Sequence, residues 1–139
     1  MIVLDTNIVS EASRQRPDSK VMAWLQGQPI GGLWLPAPVI DELFFGAERV
    51  RSASGSDRHV RAAARLRDES FAGRILSFDS QAASLCGVLR ARRQAVGRPI
   101  ALADAMIAAI CLHNGATLAT RNIRDFEGLD LSLVNPFEG

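Results

Sequence analysis

Short apolar runs rich in β-branched residues or leucine alternate along the chain with stretches of helical periodicity. Ile2-Val3-Leu4 reads as a first strand, followed by Asp5-Thr6-Asn7 and a helix that breaks near Pro17. Residues 19–28 form a short second helix ending at Gly27, with Trp24 and Leu25 as core candidates. Gly31-Gly32 turns into a second strand, Leu33-Trp34-Leu35-Pro36. Val39 to about Arg51 is helical, Ser52–Asp57 a loop, and Arg58–Phe71 another helix. Ile75-Leu76-Ser77 is a third strand, after which Asp79 stands where an N-cap belongs, before a long helix to about Val96. Gly97-Arg98-Pro99 makes a turn, and residues 102–113 a strongly apolar helix stopped by Asn114-Gly115. Thr117-Leu118-Ala119 and Leu131-Ser132-Leu133-Val134 complete five strands. Strands that alternate with helices predict right-handed βαβ units and a parallel sheet covered on both faces, an α/β fold.

The chain has 139 residues, room for one domain spanning 1–139. A hydrophobic fraction of 47% and a charged fraction of 22% exclude a disordered or fibrous chain. No apolar run approaches the roughly 18 residues that cross a bilayer, since Asp104 interrupts the longest candidate. The opening Met-Ile-Val-Leu-Asp lacks a basic region and reaches a charge at its fifth residue, which suits a strand and not a secretion signal. Cys86 and Cys111 fall in helical apolar patterns and read as small buried hydrophobes in a reducing cytoplasm, too scattered for a zinc site.

Charge is distributed unevenly. Residues 49–98 carry 11 arginines against 4 acids, whereas the remainder has 5 basic residues against 11 acids, giving +7 and −6 for a net +1. Arg58, Arg61 and Arg65 share one helix face and either track an anionic backbone or form a solvated surface.

The carboxylates are informative because of where they fall. In an open parallel sheet, ligands bind outside the carboxyl ends of the strands. Asp5 follows the first strand directly, Thr120-Arg121-Asn122 follows the fourth, and Asp104 lies in the first turn of the helix between. Residues 102–113 are apolar at every position except Asp104 and His113, so Asp104 is a carboxylate in a buried helix; it either caps that helix or holds a cation. Asp5 likewise either caps the next helix, with Thr6 and Asn7 bonding to its carboxylate, or serves a site. Val39, Ile40, Leu43, Phe44, Ala47 and Val50 fall within about 140° on a helical wheel and define a core face. Glu42 sits on the flank of that face, where it either leans toward a site at the edge or is solvated, and Phe45 points away from the face, which suits a protein interface. His59 and His113 lie outside any nucleophile–base pattern, and no glycine-rich phosphate loop occurs. With Asp5, Glu42 and Asp104 converging on one sheet edge and no lysine near them, their mutual repulsion asks for a shared dication. An all-oxygen donor set indicates magnesium or manganese, the usual partners of phosphate esters.

The sequence resembles a PIN-domain ribonuclease, specifically a VapC or FitB type toxin of a toxin–antitoxin pair, over essentially its whole length. The resemblance rests on Met-Ile-Val-Leu-Asp-Thr-Asn-Ile-Val-Ser-Glu at 1–11, Val-Ile-Asp-Glu-Leu-Phe-Phe-Gly at 39–46, and Ala-Gly-Arg-Ile-Leu-Ser-Phe-Asp at 72–79. It continues through Ala-Asp-Ala-Met-Ile-Ala-Ala at 103–109, Leu-Ala-Thr-Arg-Asn-Ile-Arg-Asp-Phe at 118–126 and Val-Asn-Pro-Phe at 134–137. It implies a three-layer α/β/α fold around a mainly parallel five-stranded sheet, and RNA cleavage dependent on Mg2+ or Mn2+. It also implies a homodimer and a cognate small antitoxin. By motif match, Asp5, Glu42 and Asp104 take the family's acidic positions, with Asp5 and Asp104 as the metal ligands. The fourth acidic position is Asn122 here, one charge short. Asp125 either compensates for it or caps the last segment, the cap being the favoured reading. Thr120 and Asn122 are expected to hydrogen-bond the scissile phosphate or the waters around the ion. The rival expectation, favoured by Asn122, is a catalytically weak PIN-fold binding module that holds an antitoxin on operator DNA.

Overall fold

The computed structural model describes residues 1–138. Its strands are β1 (Ile2–Leu4), β2 (Leu33–Pro36), β3 (Ile75–Leu76), β4 (Thr117–Ala119) and β5 (Leu133–Val134). They lie in the order β3-β2-β1-β4-β5 and every adjacent pair is parallel. Six helices flank this sheet as a three-layer α/β/α sandwich: α1 (Thr6–Ala12), α2 (Ser19–Gln26), α3 (Ala37–Ser54), α4 (Arg58–Arg65), α5 (Ser80–Ala95) and α6 (Leu102–Asn114).

The sequence pattern anticipates these elements, and the differences lie at element ends, α1 for instance stopping at Ala12 and not near Pro17. Helix α3 overruns the predicted Val39–Arg51 at both ends. Pro38 lies in its first turn, where a missing N–H leaves no bond unmade, and Gly55 ends it in the left-handed region at φ 75°. The helix predicted over Arg58–Phe71 is α-helical only to Arg65 and then widens into a π-helical turn, Leu66–Ser70. The wider turn brings Leu66 and Phe71 to one side, and both pack against the core. Strand β5 is shorter than the predicted 131–134.

The core is aliphatic and continuous across the sheet. Val3, Ile8, Leu35, Val39, Ile107 and Leu118 are fully sealed from water. Each such side chain contributes roughly 1.5–3 kcal/mol relative to an exposed one. Helix α6 lies deepest, as its nearly unbroken apolar sequence requires. Val50, assigned by periodicity to the core face of α3, is instead 38% exposed near the helix end. Cys86 and Cys111 are buried free thiols, and burial pushes Cys111 up to about 12. Among the described residues no helix is long and apolar enough to cross a membrane.

The topology fixes where chemistry can occur. From β1 the chain adds strands outward on one side (β2, β3) and later on the other (β4, β5), so the direction of winding reverses between β1 and β4. Loops leaving the carboxyl ends of those two strands diverge and open a crevice. The pair is in register Leu4↔Ala119, so Asp5 and Thr120 emerge side by side, tied by Asp5 N–H donating to the Ala119 carbonyl at 2.9 Å.

Candidate active site

Asp5 takes the capping role that its sequence context left open, and its position keeps it at the crevice. It is the N-cap of α1, accepting from the Thr6 backbone N–H at 2.8 Å, and it is buried at the crevice. Its other carboxylate oxygen accepts from the Thr120 hydroxyl at 2.8 Å and the Asn7 amide at 3.3 Å. Burial raises the Asp5 pKa, these hydrogen bonds pull against that rise, and the charge of Asp125 adds to it.

Glu42 leans toward this cluster instead of lying solvated on its helix flank. Its carboxylate accepts from the Thr6 hydroxyl at 2.7 Å, which ties α3 to the start of α1. Thr6 thus serves two acids at once, its N–H holding Asp5 and its hydroxyl holding Glu42.

Asp104 is not the cap of α6. The N-cap is Ala101, without a side-chain cap bond, and Asp104 lies within the first turn. Its carboxyl is pushed up to about 6 by burial first, and then by the charges of Asp5, Asp125 and Glu42. All four influences act in the same direction. None of the ion pairs formed among the described residues involves Asp5, Glu42 or Asp104. Residues from β1, α3 and α6 therefore share one region of negative potential.

Two expectations change in detail. Thr120 cannot reach a substrate phosphate, because it is fully buried. Its hydroxyl donates to Asp5 and accepts from the Asn122 backbone N–H at 3.0 Å, so it orients Asp5 and the loop after β4. Asp125 is not a cap either. It lies inside a 3-10 turn, Ile123–Phe126, whose N-cap is Asn122, and its charge acts on both Asp5 and Asp104. Asn122 itself is exposed at the crevice rim.

The donor set suits a small hard dication: carboxylate, amide and hydroxyl oxygens without sulfur or imidazole. The acids share an edge and a field but do not close on one point as expected. Among the described residues no three His, Cys, Asp or Glu side chains come close enough to enclose an ion by themselves. That arrangement fits magnesium, which is bound through one or two carboxylates and retains several waters.

Periodicity in α5 carries a signal for one buried residue that is not among the candidates named from sequence. Ala82, Cys86 and Leu89 form the buried stripe of α5, and Arg93 continues it at the same spacing. Glu11 was likewise unassigned; it is buried in α1, accepting from the Asp18 backbone N–H at 2.9 Å and pairing with Arg14 at 3.1 Å. Of the arginines on α4, Arg58 lines the same cleft as Thr6 and Glu42, whereas Arg61 pairs with Asp57 at 3.3 Å. Asp79 caps α5 as expected, and its carboxylate lies 3.5 Å from His113 at the end of α6.

The sequence matches the family described as PIN domain over residues 2–130. It is 38% identical over 141 residues to the VapC ribonuclease Y4jK of Sinorhizobium fredii, covering 99% of each chain. It is 35% identical over 140 residues to the toxin FitB of Neisseria gonorrhoeae, again covering 99% of each. The fold superposes on a solved structure of FitAB bound to an IR36 DNA fragment with a TM-score of 0.86. There the identity is 33%, with 99% of this chain and 96% of that chain covered.

Proposed function

This chain belongs to the PIN-domain family, and from that premise we propose that it is the endoribonuclease toxin of a toxin–antitoxin pair, dependent on Mg2+ or Mn2+. The observation that carries the reading is the set of mutually destabilising carboxylates at the β1/β4 crevice, none of which forms an ion pair among the described residues. Asp5 and Asp104 would hold the metal, with Glu42 taking part through water or orienting the attacking water. When bound, such an ion offsets charge on the phosphate oxygens and acidifies an attacking water. The protein's own part is placement: Thr120 and Asn7 fix the rotation of the Asp5 carboxylate, and Thr6 fixes Glu42 relative to it. Asn122, exposed on the rim, is available to hydrogen-bond the substrate. Arg58 lines the adjoining cleft, where it offers the RNA backbone a cation.

Melting with and without Mg2+ and RNA cleavage with and without EDTA test this directly. An ion that binds the native state alone raises stability by about 2.7 kcal/mol at a hundredfold excess over its Kd. The expected result is a midpoint that climbs with Mg2+ and cleavage that EDTA abolishes. A flat midpoint defeats the metal site. A rising midpoint with intact RNA and tight operator binding favours the rival binding module, whose one supporting feature here is Asn122.

The partners in this reading are RNA, a small antitoxin and a second copy of the chain. Phe45 is 64% exposed on α3, with the Arg49 guanidinium 5.7 Å from its ring centre. An exposed aromatic beside arginine has the composition of an interface anchor. Phe45→Glu is expected to weaken self-association or antitoxin binding about thirtyfold or more, as loss of a central anchor does. Unchanged sedimentation together with unchanged antitoxin affinity removes this face as the contact surface.

A further inference from the structure

Among the described residues, Arg93 is the single basic side chain buried in the fold, 7% exposed. It has no carboxylate partner there. Its guanidinium donates instead to three backbone carbonyls: Arg98 at 3.2 Å, Asp125 at 2.7 Å and Glu127 at 3.1 Å. Burying a cation against neutral carbonyls is a costly way to fill space that a leucine would fill. What the planar fork provides is geometry, since it spans acceptors from two separate segments in fixed relation. One segment is the turn that leads into α6, and the other follows β4 through the 3-10 turn. Arg93 and these two segments together line a polar cavity of about 380 Å³, into whose wall Asp104 enters from α6 and Asp125 from the 3-10 turn. Phe126, 1% exposed, anchors the same turn in the core.

We propose that Arg93 is a positioning residue of the nuclease site: it pins the 3-10 turn to the entry of α6 so that Asp125 faces Asp104 and supplies the acidic charge that Asn122 lacks. The inference rests on the nuclease reading and extends it. The field of Asp125 at both Asp5 and Asp104 agrees with this placement. Arg93 acts through backbone carbonyls alone, so its influence on the ion is indirect and is carried by Asp125.

Arg93→Met, Asp125→Asn and the double variant test this, with Mg2+ affinity measured by calorimetry and backbone hydrogen exchange read over residues 122–127. Arg93→Met is expected to weaken Mg2+ binding about tenfold, the usual size of an outer-shell loss. The double variant should then be no weaker than Asp125→Asn alone, because the two act in series. Exchange over 122–127 should accelerate in Arg93→Met. Arg93→Lys, whose point charge cannot span three carbonyls, should lie between and carries the test if the methionine variant does not fold. A lowered melting midpoint with wild-type Mg2+ affinity, or fully additive losses, overturns the proposal in favour of a merely structural arginine. Wild-type protein that binds Mg2+ without cleaving RNA defeats the nuclease reading while leaving the affinity and exchange comparisons decisive for Arg93. Wild-type protein that binds neither Mg2+ nor Mn2+ defeats both.

Discussion

Asp104→Asn makes the metal-free protein more stable at neutral pH while RNA cleavage falls by about 10²–10³-fold, the size expected when one preorganised charge at the reacting centre is removed. The two effects share a cause. The Asp104 carboxyl is pushed up to about 6 from an ordinary value of 3.8. Between those values the folded chain binds a proton that the unfolded chain has released, so stability falls as pH rises from about 4 to about 6. The full shift corresponds to about 3 kcal/mol, and solvent screening of this partly exposed group reduces it to on the order of 1–2 kcal/mol. Losing a favourable charge in the first turn of α6 returns about 0.3–1 kcal/mol of that gain. The isosteric amide should therefore flatten the pH dependence between 4 and 6 and raise the midpoint at pH 7 by a degree or more. Mg2+ should stabilise the wild type and leave the variant almost unmoved. A variant that is no more stable than the wild type without metal, or that still responds to Mg2+, contradicts the assignment of Asp104.

Thr120→Val lowers stability by about 2–3 kcal/mol and Mg2+-dependent cleavage by about 10–100-fold, although Thr120 touches neither ion nor RNA in the reading above. Valine matches the shape of threonine but removes the donor at 2.8 Å from Asp5 and the acceptor for the Asn122 N–H. Asp5 then remains buried with one hydrogen bond fewer to its charged form, and its proton affinity rises further. Thr120→Ser restores the hydroxyl and should recover most of both losses. Calorimetric Mg2+ binding separates this from a general loss of folding: wild-type affinity in a folded Thr120→Val protein would falsify the positioning role.

The alternation of strands and helices was readable because βαβ units impose two distinct periodicities on the chain, and Asp104 was readable as the lone acid of an otherwise apolar helix. Asp5 could be placed at the strand end from sequence, and in the folded chain it caps α1 while lying buried at the crevice. What escaped the sequence depended on contacts between distant elements. Thr120 ends a strand and looks like an exposed polar terminus, yet its burial follows from pairing with β1. Glu42 is a flank residue on any helical wheel, and only the approach of α1 to α3 gives it Thr6 as a donor. Arg93 was masked by its own charge: the stripe Ala82, Cys86, Leu89 pointed to it, but arginine on an arginine-rich helix reads as surface. Asp125 is not a cap because the tight turn that carries it begins three residues earlier than a cap at that position would allow.

The hydrogen bond between Asp5 and Thr120 joins residues 115 positions apart in the sequence. A ribosome that has delivered β1, β2 and β3 has therefore not yet made a hydrolase. Asp5 acquires its orienting partner only once β4 has slotted beside β1. Long-range parallel pairing of this kind is a late and slow event in folding. In the nuclease reading, cleavage thus depends on a contact that a chain ending before β4 cannot make, and truncation ahead of that strand leaves Asp5 without its hydroxyl partner.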